Sequence, residues 1–207
     1  MAGEDADIGR FPYTVSLQGV SDLGHFCGGS LIAPDVVLGA AHCAKAKAPK
    51  DIAVRTNPHK LRQPIAGSEI LAVTDVILHP QHQTLPTYLD HDVMVLKLAT
   101  PSNQRPLVRI NPSPNIPSEN EQLLVMGWGT TKWSENAPPE VLQVAESIPI
   151  SNEECLEISQ RGPPNLDYEG LLSDDMMCTR QEGQGFCQGD SGKRSRNLLI
   201  LQRLDSN

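Results

Sequence analysis

The sequence predicts an all-β fold, and three observations carry that expectation. Seventeen Pro and 16 Gly among 207 residues interrupt helices often and favour turns. Short apolar runs of 3–6 residues recur along the chain, each bounded by Gly, Pro, Asp or Asn. Helical signals are confined to one segment. This spacing suits an antiparallel barrel or sandwich better than alternating strands and helices.

In chain order, the first hundred residues carry the runs Tyr13-Val15-Leu17, Leu31-Ile32, Val36-Val37-Leu38, Ile52-Val54, Ile70-Leu71-Val73, Val76-Ile77-Leu78 and Val93-Val95. Between Pro101 and Pro117 five prolines break any periodicity, which excludes a central strand or a helix interior and reads as a linker. Strand-like runs resume at Leu123-Leu124-Val125-Met126, Val141-Leu142-Val144 and Ile148-Pro149-Ile150. A single short helix is expected from about Ser151 to Gln160, with Ser151 as its cap, Glu154 three residues on, and Gly162 as a stop.

Composition narrows the function classes. The apolar fraction is 39% and the charged fraction 20%, the balance of a soluble globular chain. A net charge of −8 lacks the basic surface that general nucleic-acid binding needs. No stretch approaches the 18 or more apolar residues of a membrane helix. The opening Met1-to-Asp7 segment is acidic and polar, unlike a secretion signal. Five cysteines (Cys27, Cys43, Cys155, Cys178 and Cys187) have spacings that suit disulfides better than metal, and their odd number leaves one sulfur over.

Chemistry concentrates in Gly185-Phe186-Cys187-Gln188-Gly189-Asp190-Ser191-Gly192, where glycines let the backbone turn sharply and expose the Ser191 hydroxyl. A serine hydroxyl is a weak nucleophile at neutral pH, so it needs a base and donors for the oxyanion it creates. Among six histidines His42 stands out, because it follows the apolar Val36-to-Ala41 run and adjoins Cys43. Asp92 opens the apolar Val93-to-Leu98 stretch, where a carboxylate is costly to bury without a strong hydrogen bond. Asp90 reads instead as a solvent-facing turn residue, and Trp128 as a packing anchor. His79-Pro80-Gln81-His82 offers two metal ligands without a third and reads as a surface loop. The Lys193-to-Arg196 cluster reads as exposed loop charge.

Five segments, in order, resemble the chymotrypsin-like (trypsin-type) serine peptidases: Cys27-Gly28-Gly29-Ser30-Leu31-Ile32, Ala40-Ala41-His42-Cys43, Asp92-Val93-Met94-Val95-Leu96, Gly127-Trp128-Gly129-Thr130 and Gly189-Asp190-Ser191-Gly192. The likeness runs from about Gly3 to Gly192. It implies two six-stranded antiparallel β-barrels, residues 1–100 and 118–207, joined by a crossover at 101–117. It implies a catalytic triad of His42, Asp92 and Ser191, and an oxyanion hole from the N–H groups of Gly189 and Ser191. Gly185, Phe186 and Gln188 would line the substrate pocket, and Asp190 would meet the amine of a processed amino terminus. Two of the family's bridges would be Cys27–Cys43 and Cys155–Cys178.

The implied function is a secreted, monomeric serine endopeptidase that acts on proteins or peptides through an acyl-enzyme, with no cofactor or metal. Members that cut after Lys or Arg carry an aspartate where Gly185 stands, so a basic preference is not expected. The family's mature start, Ile-Val-Gly-Gly, is replaced here by Met1-Ala2-Gly3-Glu4, and Gly192 runs into Lys193 rather than Gly-Pro. The family's last strands and final helix fall beyond Asn207, together with the usual partner of Cys187. A chain shortened at both ends, with an incomplete second barrel, is therefore expected. The competing reading is a non-catalytic homologue that keeps the barrels as a binding or inhibitory module.

Overall fold

Strand pairing follows the period-two pattern most clearly in β9 (Met94–Leu98), where Met94, Leu96 and Leu98 are buried and Val95 and Lys97 lie nearer the surface. The structure, a computed structural model, describes residues 3–44, 47–84, 89–111, 117–118, 121–129, 139–161, 169–170, 172–173, 176–180 and 200–203. In chain order the other first-half strands are β1 (Glu4–Asp5), β2 (Thr14–Gly19), β3 (His25–Ala33), β4 (Val36–Gly39), β5 (Ile52–Thr56), β6 (Glu69–Leu78), β7 (Gln83–Thr84) and β8 (Leu89–Asp90). Single 3-10 turns occupy Ala41–Ala44 and Pro49–Asp51. Later come β10 (Leu123–Gly127), β11 (Gln143–Ile150), α1 (Asn152–Gln160), β12 (Cys178–Arg180) and β13 (Ile200–Arg203).

Six antiparallel strands close into a barrel in the order β2-β3-β4-β9-β6-β5. Closure leaves none of these six with an unpaired edge along the ring. The interior is filled by fully buried apolar side chains, among them Val15, Leu17, Leu31, Val54 and Leu96. Each contributes on the order of 1.5–3 kcal/mol by leaving water. Gly29 of β3 sits in a crowded place: a Cβ there would lie 3.0 Å from the Leu38 carbonyl oxygen and 3.1 Å from Val15, so a larger residue would need its neighbours to shift.

Two pairs of apolar runs that are separate in sequence merge in the fold. Ile70–Val73 and Val76–Leu78 belong to the one strand β6, whose pairing with β9 shifts between Val73 and Asp75, so that an irregularity absorbs Thr74. Likewise Val144 and Ile148–Ile150 share β11. Pro149 is tolerated there because β11 leaves β10 after Ser147 and pairs with β12 from Ile148 onward. The helix forms where capping chemistry places it, with Ser151 Oγ accepting the Glu154 N–H at 3.1 Å.

Beyond the connector, the described residues form a sheet in the order β1-β11-β10-β13, with β12 on the far half of β11. A second closed barrel is not present among the described residues. The connector itself is tied to the first barrel by polar contacts. The Glu69 carboxylate accepts hydrogen bonds from Ser102, Asn103 and Thr56, and Gln104 Nε2 donates to the Gly67 carbonyl at 2.6 Å.

Where barrel and sheet meet, Trp128 is buried and donates from Nε1 to the His59 carbonyl at 3.4 Å, while the His59 carbonyl also accepts the Leu142 N–H. The Trp128 ring stands edge-on to His25, with centroids 5.5 Å apart. Ser16 Oγ lies 2.8 Å from His25 Nδ1, and His25 Nε2 is buried without a hydrogen-bond partner among the described residues. Burial pushes the His25 imidazole down to about 4. The unfolded chain therefore binds this proton more readily than the folded one, and stability falls as pH drops from about 6.5 towards 4. The expected loss is about 2–4 kcal/mol. Urea unfolding at pH 7 and pH 4 checks this, and an equal loss in His25→Gln would show that other groups cause it.

Candidate active site

The register of two strands brings His42 to Asp92. In the β4–β9 ladder Gly39 pairs with Met94, and extending that antiparallel register by two residues sets Asp92 opposite Ala41. His42 is the next residue, held in the Ala41–Ala44 turn whose Cys43 N–H donates to the Ala40 carbonyl. The β4–β9 pairing thus brings the two segments together across fifty positions of sequence, and the Asp92 side chain completes the contact.

Both carboxylate oxygens of Asp92 are occupied by one residue. Oδ2 lies 2.6 Å from His42 Nδ1, and Oδ1 accepts the His42 backbone N–H at 2.7 Å. A carboxylate only accepts, so Nδ1 carries the proton, and in the neutral ring Nε2 is then the nitrogen that keeps its lone pair. The side chains are 16% and 23% exposed, so the pair is sheltered while an edge of the ring still reaches the surface. Burial pushes the Asp92 carboxyl up, but the hydrogen bonds from the His42 ring and backbone outweigh it and hold the group below its usual value.

The Cys27–Cys43 disulfide braces this turn against β3, its Cα atoms 6.2 Å apart, and Cys43 Sγ sits 3.5 Å from His42 Nε2. The ligating atoms of Cys27, His42 and Cys43 lie within 4.8 Å of one another. With the two sulfurs joined to each other there is no thiolate pair to hold a metal. A second disulfide, Cys155–Cys178, ties α1 to β12. Gly185, Phe186, Cys187, Gln188, Gly189, Asp190 and Ser191 lie outside the described residues.

Some features of this corner have no signal in local sequence. His91, immediately before Asp92, has φ of 46°, in the left-handed region. Its ring stacks on His79, with centroids 4.8 Å apart and planes 22° from parallel. The Asp92 contact with the His42 backbone is equally unannounced. His79 and His82 occupy a turn in which the His82 N–H donates to the His79 carbonyl.

An imidazole whose inner nitrogen meets a carboxylate is an arrangement that can take a proton from a nucleophile. Comparison with known proteins extends this. The family described as Trypsin matches residues 1–193. Serine protease 1 of Canis lupus familiaris is 33% identical over 184 residues, which are 87% of this chain and 68% of that protein. Trypsin of Sus scrofa is 32% identical over 195 residues, covering 93% of this chain and 77% of the relative, and trypsin of Xenopus laevis is 32% identical over 184 residues, covering 87% and 68%. The chain belongs to the trypsin family of serine proteases. Among the described residues, no helix is long and apolar enough to cross a membrane.

The brace on the His42 turn closes a loop across a sequence separation of 16 residues. Replacing both Cys27 and Cys43 by Ala is expected to lower the unfolding free energy by about 3 kcal/mol on the chain-entropy account. Guanidinium titration of the double variant measures it, and a change under about 1 kcal/mol would mean that packing alone holds the turn.

Proposed function

We propose that the chain is a serine endopeptidase that cleaves peptide bonds through an acyl-enzyme, with Ser191 as nucleophile, His42 as general base and Asp92 as its orienting anion. The observation that carries this reading is the 2.6 Å contact between His42 Nδ1 and Asp92 in a chain of the trypsin family. That family is itself the standard template for the triad. Ser191 supplies the third member from a Gly-Asp-Ser-Gly turn whose glycines permit the necessary backbone approach.

In the proposed reaction His42 Nε2 takes the Ser191 hydroxyl proton as Oγ attacks the peptide carbonyl. The negative charge that forms on the carbonyl oxygen is met by the N–H groups of Gly189 and Ser191. His42 then passes its proton to the departing amine, leaving an ester on Ser191, and a water activated by the same ring releases the acid. Asp92 keeps the ring in the tautomer that can accept, and stabilises the imidazolium once it forms. Asp190 is assigned the structural role of meeting an ammonium beside the oxyanion donors.

The proposed architecture is two barrels, residues 1–100 and 118–207, joined through 101–117, with His42 and Asp92 from the first and Ser191 from the second. Gly185, Phe186 and Gln188 are assigned to the substrate pocket. With glycine at 185 no carboxylate is available there to anchor Lys or Arg, which favours a less polar or relaxed preference. The two disulfides fit an oxidising, extracellular setting. A monomer acting on protein or peptide substrates, without cofactor, completes the reading.

A fluorophosphonate probe tests it directly on the folded chain. Wild-type protein should be labelled covalently at Ser191, Ser191→Ala should not be labelled at all, and His42→Ala should react at least about 10²-fold more slowly. Wild-type labelling should also rise with pH as a single imidazole loses its proton. A folded wild-type chain that resists the probe would refute the endopeptidase reading and leave the non-catalytic one.

A further inference from the structure

Asp92 can reach His42 with both oxygens only if the chain enters it from the right direction, and that direction is set at His91. A φ of 46° is uncommon outside glycine, although histidine adopts it more readily than most residues. Two contacts bear on it here. The His91 carbonyl accepts the Val93 N–H at 2.7 Å, closing a tight loop around Asp92, and the His91 ring lies flat against His79.

His79 is built as a fixed plate. It continues the β6–β9 ladder past the Leu78–Met94 pair, donating its N–H to the Val93 carbonyl at 2.9 Å. Its own carbonyl accepts the His82 N–H at 2.9 Å, and its ring Nδ1 accepts the Gln81 N–H at 3.3 Å, which sets the ring's rotation and tautomer. The plate therefore stands on the barrel wall, on the side of Asp92 opposite the β4 strand that delivers His42.

We infer that His79 is a positioning residue for the proposed triad: by stacking on His91 it holds the left-handed turn that aims the Asp92 carboxylate at His42. His79 touches neither substrate nor the reacting atoms in this scheme. Release of the stack lets His91 relax to an ordinary conformation, turns the peptide between His91 and Asp92, and withdraws the carboxylate from the His42 ring. The inference rests on the triad reading above.

The test compares wild type, Asp92→Asn, His79→Ala and His79→Phe as full chains, with circular dichroism to follow folding. Proton NMR reads the far-downfield signal of a His42 Nδ1–H bound to a carboxylate, and fluorophosphonate labelling reads reactivity. Wild type should show the signal and Asp92→Asn should lack it. His79→Ala should lose or shift it upfield and label about two- to tenfold more slowly. His79→Phe, which keeps a flat ring, should recover the signal and label within about twofold of wild type. An unchanged signal and rate in His79→Ala, or a His79→Phe no better than His79→Ala, overturns the inference while leaving the triad standing. If His79→Ala does not fold, His79→Phe decides alone: wild-type behaviour supports the stack, and a lost signal rejects it. A wild-type chain without the signal removes the His42–Asp92 pair itself, and with it both readings.

Discussion

The half-buried Asp92 carboxylate is the group on which the site depends. A carboxylate in this setting is costly unless its lone pairs are filled, and here both oxygens are filled by His42, one through its ring and one through its backbone. The two contacts constrain different things. The backbone bond fixes where the Ala41–Ala44 turn lies relative to β9, and the ring bond fixes the tautomer and the plane of the imidazole. Neither would form without the β4–β9 register, in which a slip of one residue would turn Asp92 to the other face.

The same side chain meets three different surroundings in this fold. His25 sits between Ser16 and Trp128, where exclusion of water favours its neutral form. His42 stands beside the Asp92 carboxylate and is partly exposed. His79 and His91 face each other as flat plates, and shape matters more than charge for their contact. A count of histidines says nothing about this division of labour, which arises from what each ring is packed against.

Legibility in the sequence followed the range of the interactions involved. Period-two alternation marks Met94, Leu96 and Leu98, and the Ser151–Glu154 spacing marks α1, because both patterns arise from neighbours a few residues apart. His42 and Asp92 were readable as chemistry-bearing residues set at the ends of apolar strands. What joins them, the pairing of β4 with β9 rather than with another strand, is non-local and has no trace in either segment. The union of Ile70–Val73 with Val76–Leu78 was hidden for a related reason, since an irregularity that interrupts alternation looks in sequence like a strand end. The His79–His91 stack depends on a left-handed backbone turn at His91, which no composition or spacing rule points to. The Gly189-Asp190-Ser191 segment lies outside the described residues, and its assignment rests on motif and family.

The pairing of β1 with β11 joins the earliest described strand to one that comes some 140 residues later, Glu4 opposite Val144 and Asp5 opposite Gln143, while Ala6 donates to the Leu142 carbonyl. Together with the bridge between Lys60 and Val141, it laces the polypeptide back and forth across the boundary at which a simple bisection would be drawn. Ribosomal synthesis delivers the leading strand long before its neighbour exists. That strand must wait unpaired until some 140 further residues have been made, so even if the first barrel closes early the segment ahead of it is placed only afterwards, and a nick in the proline-rich crossover would leave two pieces still sewn together.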